Sequence, residues 1–308
     1  MEHALGEAQL QAHVEVALRE DLNSNCLDDG EADLTTSLLI QSCAHSSALI
    51  VAKESGIIAG TALAEAVFRR LDPKVECEIL KADGNAVEPG ATVMTMSGSA
   101  GALLTGERTA LNFLQHLSGI ATCTRRFVDA ITTSPGTRIT DTRKTTPGLR
   151  LLEKYAVTQG GGVNHRMGLY DAVLVKENHA AEADGVAAAT KKVRSQKHHS
   201  SLGAVRVMVE ARHLTEVEAL IALDAPDRPD RILLDNMPPA ALAEAVALIR
   251  AADTGIIEIE ATGGVDLDTV AEIAATGVDL ISVGALTHSA PALDLSLLFE
   301  SVDENTSG

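Results

Sequence analysis

Between Asp141 and His179 the chain reads DTRKTTPGLRLLEKYAVTQGGGVNHRMGLYDAVLVKENH. Arg143, Lys144, Arg150, Lys154, His165, Arg166, Lys176 and His179 gather here, in a protein of formal net charge -18. Guanidinium and ammonium groups hold carboxylates and phosphates by charge-assisted hydrogen bonds, so this cationic island suits an anionic small molecule. A solvated basic helix face is the plain alternative. Thr145-Thr146-Pro147-Gly148 and Gly160-Gly161-Gly162 weigh against it, because they shape backbone in ways a solvated face does not need.

Further groups with chemical potential fall at the ends of aliphatic runs. Strands are predicted at Thr137–Asp141, Ala172–Lys176, Arg206–Glu210, Arg231–Asp235, Ile256–Glu260 and Leu280–Val283. They alternate with helices at Leu149–Ala156, Ala181–Arg194, Leu214–Leu223, Pro238–Ala252 and Leu267–Thr276. Repeated β-then-α units with apolar strands indicate a parallel sheet closing into a (β/α) barrel, whose strand C-termini share one face. Those ends read Asp141-Thr142-Arg143-Lys144, Lys176-Glu177-Asn178, Glu210, Asp235-Asn236, Glu260 through Gly264, and Gly284. Glu210 and Asp235 form a carboxylate pair suited to Mg2+, with a general base or structural ion pairing as competing roles. Thr262-Gly263-Gly264 and Gly284 stand where late loops of such barrels bind phosphate through backbone N–H groups and a helix N-terminus. A Schiff-base role for Lys176 is a competing chemistry.

The elements upstream are of another kind. A helix is predicted over 8–22, followed by an acidic loop from Asn23 to Asp33. Short β-type runs at 48–52, 75–80 and 91–96, with one helix over 62–71, suggest a small antiparallel sheet carrying helices on one face. A long helix over 105–133 bears Arg108, Arg125 and Arg126 away from its apolar stripe. The chain is therefore expected to form an α/β sandwich domain over 1–115 and a barrel domain over 116–289, with 290–308 packing back on the first.

At 308 residues with 45% hydrophobic but only 2% aromatic residues, the core must be aliphatic. The acidic balance argues against broad binding to nucleic acid or an anionic membrane. No apolar run reaches membrane-spanning length and no secretion signal is evident, so a cytoplasmic location is expected. Cys26, Cys43, Cys77 and Cys123 are scattered and read as reduced structural thiols. The stretch QKHHSS, Gln196 to Ser201, is expected to be a solvated loop.

The run TRKTTPGLRLLEKYAVTQGGGVNHRMGLYDAVLVKENH resembles the signature of the quinolinate phosphoribosyltransferases, also called carboxylating nicotinate-nucleotide diphosphorylases. The similarity extends to EDLNSNCLDDGEADLTTSLLI near the start, ERTALNFLQHLSGIAT at 107–122, LLDNM at 233–237 and EIEATGGVDLDTVAEIAATGVDLISVGALTHSAPALDLSL at 258–297. The resemblance implies an incomplete barrel with an N-terminal α/β sandwich. It also implies Mg2+-dependent transfer of phosphoribose from 5-phosphoribosyl diphosphate to quinolinate, in homodimers or assemblies of dimers with shared active sites. It gives Arg143, His165 and Arg166 to the quinolinate carboxylates, Lys144 and Lys176 to the anionic centre, and Glu210 and Asp235 to Mg2+ and the ribose hydroxyls. Thr262, Gly263, Gly264 and Gly284 would bind the 5-phosphate, and Arg108 would be donated by a second subunit. Two positions depart from the family pattern: Thr262 replaces a more usual Ser, and Met208 stands where a carboxylate is expected.

Overall fold

A computed structural model describes residues 6–22, 33–198, 204–252 and 257–300. In chain order the elements are α1 (Glu7–Leu22), α2 (Leu34–Leu39), β1 (His45–Ala52), β2 (Gly56–Ile57), α3 (Thr61–Leu71), β3 (Glu76–Ile79), β4 (Ala86–Val87), β5 (Thr92–Ser99) and α4 (Ala100–Ala130). There follow β6 (Arg138–Thr140), α5 (Arg150–Gln159), β7 (Ala172–Val175), α6 (Glu177–Ala181), α7 (Val186–His198), β8 (Arg206–Ala211), α8 (Leu214–Ile221) and β9 (Arg231–Asp235). The last are α9 (Pro239–Ala251), β10 (Glu258–Thr262), α10 (Val270–Ala275), β11 (Leu280–Ser282), α11 (Ala285–His288) and β12 (Leu295–Phe299). Two compact units result: one takes in the chain up to Cys123, the segment Leu151–Gly161 and the chain from Ala290 onward, and the other comprises Thr124–Arg150 and Gly162–Ser289.

The first unit is built on an antiparallel sheet of order β12-β1-β5-β3, with β2 and β4 as a separate short ribbon. Helical spacing buries Leu10, Val14, Leu18 and Leu22 on α1, and Leu63, Ala64, Val67 and Phe68 on α3. Gly106 on α4 permits a close approach, since a Cβ there would lie 2.8 Å from the Phe68 ring. The acidic segment 23–32 lies outside the described residues. Asp33 caps α2 through bonds from the Thr35 and Thr36 amides, which satisfies N–H groups that a helix start leaves without partners. Within this unit α5 is held by polar contacts: Glu153, fully buried, bonds His116 at 3.0 Å, and the Tyr155 hydroxyl donates to Asp83 at 2.6 Å.

The second unit is a six-stranded parallel sheet of order β6-β11-β10-β9-β8-β7. One further parallel bridge, Thr140 to Val163, lies beyond β6, and no β6–β7 pairing closes the ring among the described residues. This is an incomplete (β/α) barrel. Alternate residues along each strand face the same way, so the register stacks its side chains in layers. Near the strand starts Glu258 is gripped by Arg138 at 3.0 Å, Arg206 at 2.9 Å and Arg231 at 2.7 Å. Above it Ala172, Met208 and Leu233 form an apolar layer with Leu174 against it. Met208 is thus a core residue whose thioether fills aliphatic space, one step below Glu210 on the same face.

Several boundaries differ from the sequence reading. Gln196, Lys197 and His198 continue α7 instead of looping out, while 199–201 lie outside the described residues. Strand β10 runs two residues further than predicted, to Thr262, because Thr262 still pairs with Asp235. Helix α10 begins only at Val270, since Asp266 takes the Thr269 and Asp268 amides into a local turn. The helix start predicted at Leu267 is therefore replaced by a turn. Cys43, Cys77 and Cys123 are not in disulfides, and burial pushes the Cys77 thiol up to about 11.

Candidate active site

At the C-terminal ends of the barrel strands lies a cavity of about 840 Å3. From the β6 end it receives Thr142, Arg143 and Lys144. The loop carrying them is braced from two sides: Arg150 donates to the Thr145 hydroxyl at 3.0 Å and to the Met167 carbonyl at 3.1 Å, and the Thr287 hydroxyl donates to the Lys144 carbonyl at 2.8 Å.

The segment after Val163 delivers His165 and Arg166 to the same cavity. Asp141, fully buried at the end of β6, accepts the His165 amide at 2.8 Å. The Arg166 amide donates to His165 Nδ1 at 2.8 Å, so a neutral ring carries its proton on Nε2, the nitrogen 3.6 Å from Glu260 Oε1. Arg166 reaches the Ala172 carbonyl at 2.8 Å, yet its Nε is buried without a hydrogen-bond partner, as is that of Arg143. Burial and then the charge of Arg143 hold the Arg166 guanidinium below its ordinary pKa. Two like charges, incompletely satisfied and facing one cavity, form a receptor for an anion.

The centre is zwitterionic. Lys176, at the end of β7, bonds Glu210 on β8 at 2.9 Å. Its ammonium is engaged by a carboxylate and half exposed, unlike the desolvated amine of a Schiff-base lysine. Asp235 ends β9, with Arg212 4.0 Å away. The backbone side of the cavity follows along the sheet: Thr262 ends β10, Gly263 and Gly264 come after it, and Gly284 follows β11, which pairs with β6. Gly263 and Gly264 have φ of +93° and +62°, which glycine adopts without steric cost. A Cβ on Gly284 would sit 3.0 Å from the Lys144 side chain and 3.1 Å from His288.

The structure thus brings Arg143, Lys144, His165, Arg166, Lys176, Glu210, Asp235, Thr262, Gly263, Gly264 and Gly284 to one cavity. Arg108 is exposed on α4 of the other unit and is not among the lining residues. Three groups were given no role by the sequence reading, although Glu260 was placed at the end of its strand. Arg231 begins β9 in an apolar run, but alternation from Leu233 and Asp235 places it inside the barrel, where it bonds Glu260 at 2.7 Å. Glu260 is fully buried in the cavity floor, its Oε1 has no hydrogen-bond partner, and burial raises its pKa despite the opposing charge of Arg231. His288 reaches the cavity from α11, whose four residues are too few for a periodic signal.

Cationic groups, central carboxylates and glycine turns lining one cavity define a barrel-mouth enzyme site for small polyanionic substrates. Comparison with known proteins narrows the class. Residues 33–118 match the family described as quinolinate phosphoribosyl transferase, N-terminal domain, and 120–298 match its C-terminal domain. A probable carboxylating nicotinate-nucleotide pyrophosphorylase of Synechocystis is 48% identical over 80% of this chain and 80% of its own length. The chloroplastic enzyme of that name from Arabidopsis thaliana is 41% identical over 94% of this chain and 82% of its own. The nicotinate-nucleotide pyrophosphorylase structure from Francisella tularensis superposes with a TM-score of 0.87 at 35% identity, covering 97% of this chain and 99% of that one. The chain belongs to the quinolinate phosphoribosyltransferase family, whose members are pentosyltransferases of NAD biosynthesis.

Proposed function

We infer that this chain transfers phosphoribose from 5-phosphoribosyl diphosphate to quinolinate with loss of carbon dioxide, forming nicotinate mononucleotide and diphosphate. The observation that carries the acceptor half is the Arg143 and Arg166 pair, two partly buried guanidiniums facing the cavity with nitrogens left unsatisfied. A dicarboxylate would relieve both, and His165 Nε2–H adds a neutral donor beside them. A monocarboxylate would leave one guanidinium uncompensated, a cost of the size that lets a site discriminate strongly between analogues.

The turns at Gly263 and Gly284 would take the 5-phosphate on backbone N–H groups, and Glu210 and Asp235 would face the ribose. Among the described residues no group of three or more His, Cys, Asp and Glu side chains is arranged to hold a metal by itself. Two carboxylates fit Mg2+ nonetheless, because that ion is commonly held by one or two carboxylates together with substrate phosphates and water. When bound there it would supply positive charge to the diphosphate. In the transfer, the quinolinate nitrogen lone pair forms the bond to the anomeric carbon as the bond to diphosphate oxygen breaks. Lys144 and Lys176 compensate the charge that collects on the leaving group, and the carboxylates face the positive ribose carbon. The ring nitrogen, now cationic, stabilises the electron pair that stays on the adjacent ring carbon when its carboxylate departs as carbon dioxide, and that carbon then takes a proton. Positioning and electrostatics carry the rate, with no residue required as a strong base.

A homodimer in which Arg108 enters the partner's cavity, and a cytoplasmic location, complete the reading. No helix among the described residues is long and apolar enough to cross a membrane. The reaction is tested by assaying nicotinate mononucleotide formation from 5-phosphoribosyl diphosphate and Mg2+ with quinolinate or with nicotinate. Turnover of nicotinate in preference to quinolinate would overturn the assignment.

A further inference from the structure

Asn236 follows the last residue of β9 with φ of +54°, in the left-handed region that side chains other than glycine seldom enter. Asp184 is the other such residue among those described. Three contacts hold Asn236 there. Its amide N–H donates to the Thr262 carbonyl at 2.9 Å, tying the end of β9 to the end of β10. Its Nδ2 donates to Asp235 Oδ1 at 3.0 Å. Its carboxamide lies over Gly263, where a Cβ would come within 2.3 Å of Asn236 Oδ1. One side chain therefore touches both a central carboxylate and the glycine turn on the cavity wall.

We propose that Asn236 is a positioning residue that fixes the spacing between Asp235 and the Gly263 turn, so that one sugar phosphate spans both. The proposal rests on reading the cavity as a phosphoribose site. A left-handed residue is a means of aiming a side chain back across the strand end, and asparagine tolerates the conformation better than most. With Oδ1 of Asp235 taken by Asn236 and Oδ2 standing 4.0 Å from Arg212, the carboxylate is held in one orientation for the sugar, while packing on Gly263 fixes the turn whose N–H groups would take a phosphate. The consequence is specific: the residue contributes to a ligand that engages both ends and little to one that engages only the turn.

Calorimetric titration with ribose 5-phosphate and with inorganic phosphate separates the two, and needs no catalysis. Asn236→Gly keeps the backbone conformation and removes the carboxamide; Asn236→Asp keeps the shape and removes the donor to Asp235. In Asn236→Gly the affinity for ribose 5-phosphate is expected to fall tenfold or more, with inorganic phosphate changing less than threefold. In steady state, KM for 5-phosphoribosyl diphosphate should rise while KM for quinolinate stays within twofold. Equal losses for both probes, or a change below twofold for ribose 5-phosphate in either variant, would overturn the proposal. Should Asn236→Gly not fold, the isosteric Asn236→Asp decides alone, by a fall in ribose 5-phosphate affinity exceeding that for phosphate. A wild-type protein that binds neither probe would instead overturn the phosphoribose reading beneath it.

Discussion

Arg166→Ala should move stability and substrate binding by very different amounts. In the free protein the guanidinium is disfavoured by burial and by Arg143, and its Nε has no partner. What it contributes is one bond to the Ala172 carbonyl at 2.8 Å. Losing that bond costs about 1 kcal/mol, and relief from burying a charge beside a like charge acts in the opposite direction. The melting temperature should therefore shift by less than about 3 °C. With quinolinate bound, the same guanidinium is one half of a desolvated ion pair, and truncating such a partner costs about 2–5 kcal/mol. Arg143 remains to share the anion, which favours the lower part of that range, so quinolinate affinity should weaken by roughly 30- to 400-fold. The measurement is calorimetric binding of quinolinate and of 5-phosphoribosyl diphosphate to both proteins, alongside thermal unfolding. Equal weakening for both substrates, or a large drop in melting temperature, would refute the account of Arg166 as an unsatisfied cation awaiting a dicarboxylate.

Two glutamates two residues apart on β10 should show opposite pH signatures. For Glu258, burial alone would raise the carboxyl, but Arg231 and Arg206 outweigh it and hold it below the usual carboxylate range. Its stabilisation is therefore present above the unfolded value near pH ~4.3 and is lost as pH falls through the lower folded value. Glu258→Gln should cost about 3 kcal/mol at neutral pH, with the gap to wild type in a melting series narrowing in acid. Burial raises Glu260, so its charged form opposes folding: the wild type should lose ground to Glu260→Gln as pH rises above ~4.3, and a pH-independent gap would contradict this. Mixing inactive Arg108→Ala and Arg166→Ala chains should regenerate activity through mixed dimers that retain one intact site. Heterodimers shown to form without recovery would sink the shared-site reading.

The chemistry at the strand ends was legible from the sequence because a parallel strand must end, and the polar residues that follow an aliphatic run fall on the barrel mouth. Arg143, Lys176, Glu210, Asp235 and Gly263 could be placed on one rim by that rule, before any contact was known. Antiparallel β1 and β5 were visible for the same reason, as β-type runs between turn residues. Short elements such as β2, β4 and α11 carry too few residues for a period to register. What lies inside the barrel was decided by register. Arg231 and Met208 look like ordinary members of apolar strands, and Glu260 like a rim residue, until the pairing of β8, β9 and β10 stacks them at different depths. The protonated nitrogen of His165 and the tie from Asn236 to Gly263 depend on distances between segments remote in sequence. Composition and periodicity determine which elements form and where the charges can gather. The state of those charges follows from burial and neighbouring groups, and only the tertiary structure brings these together.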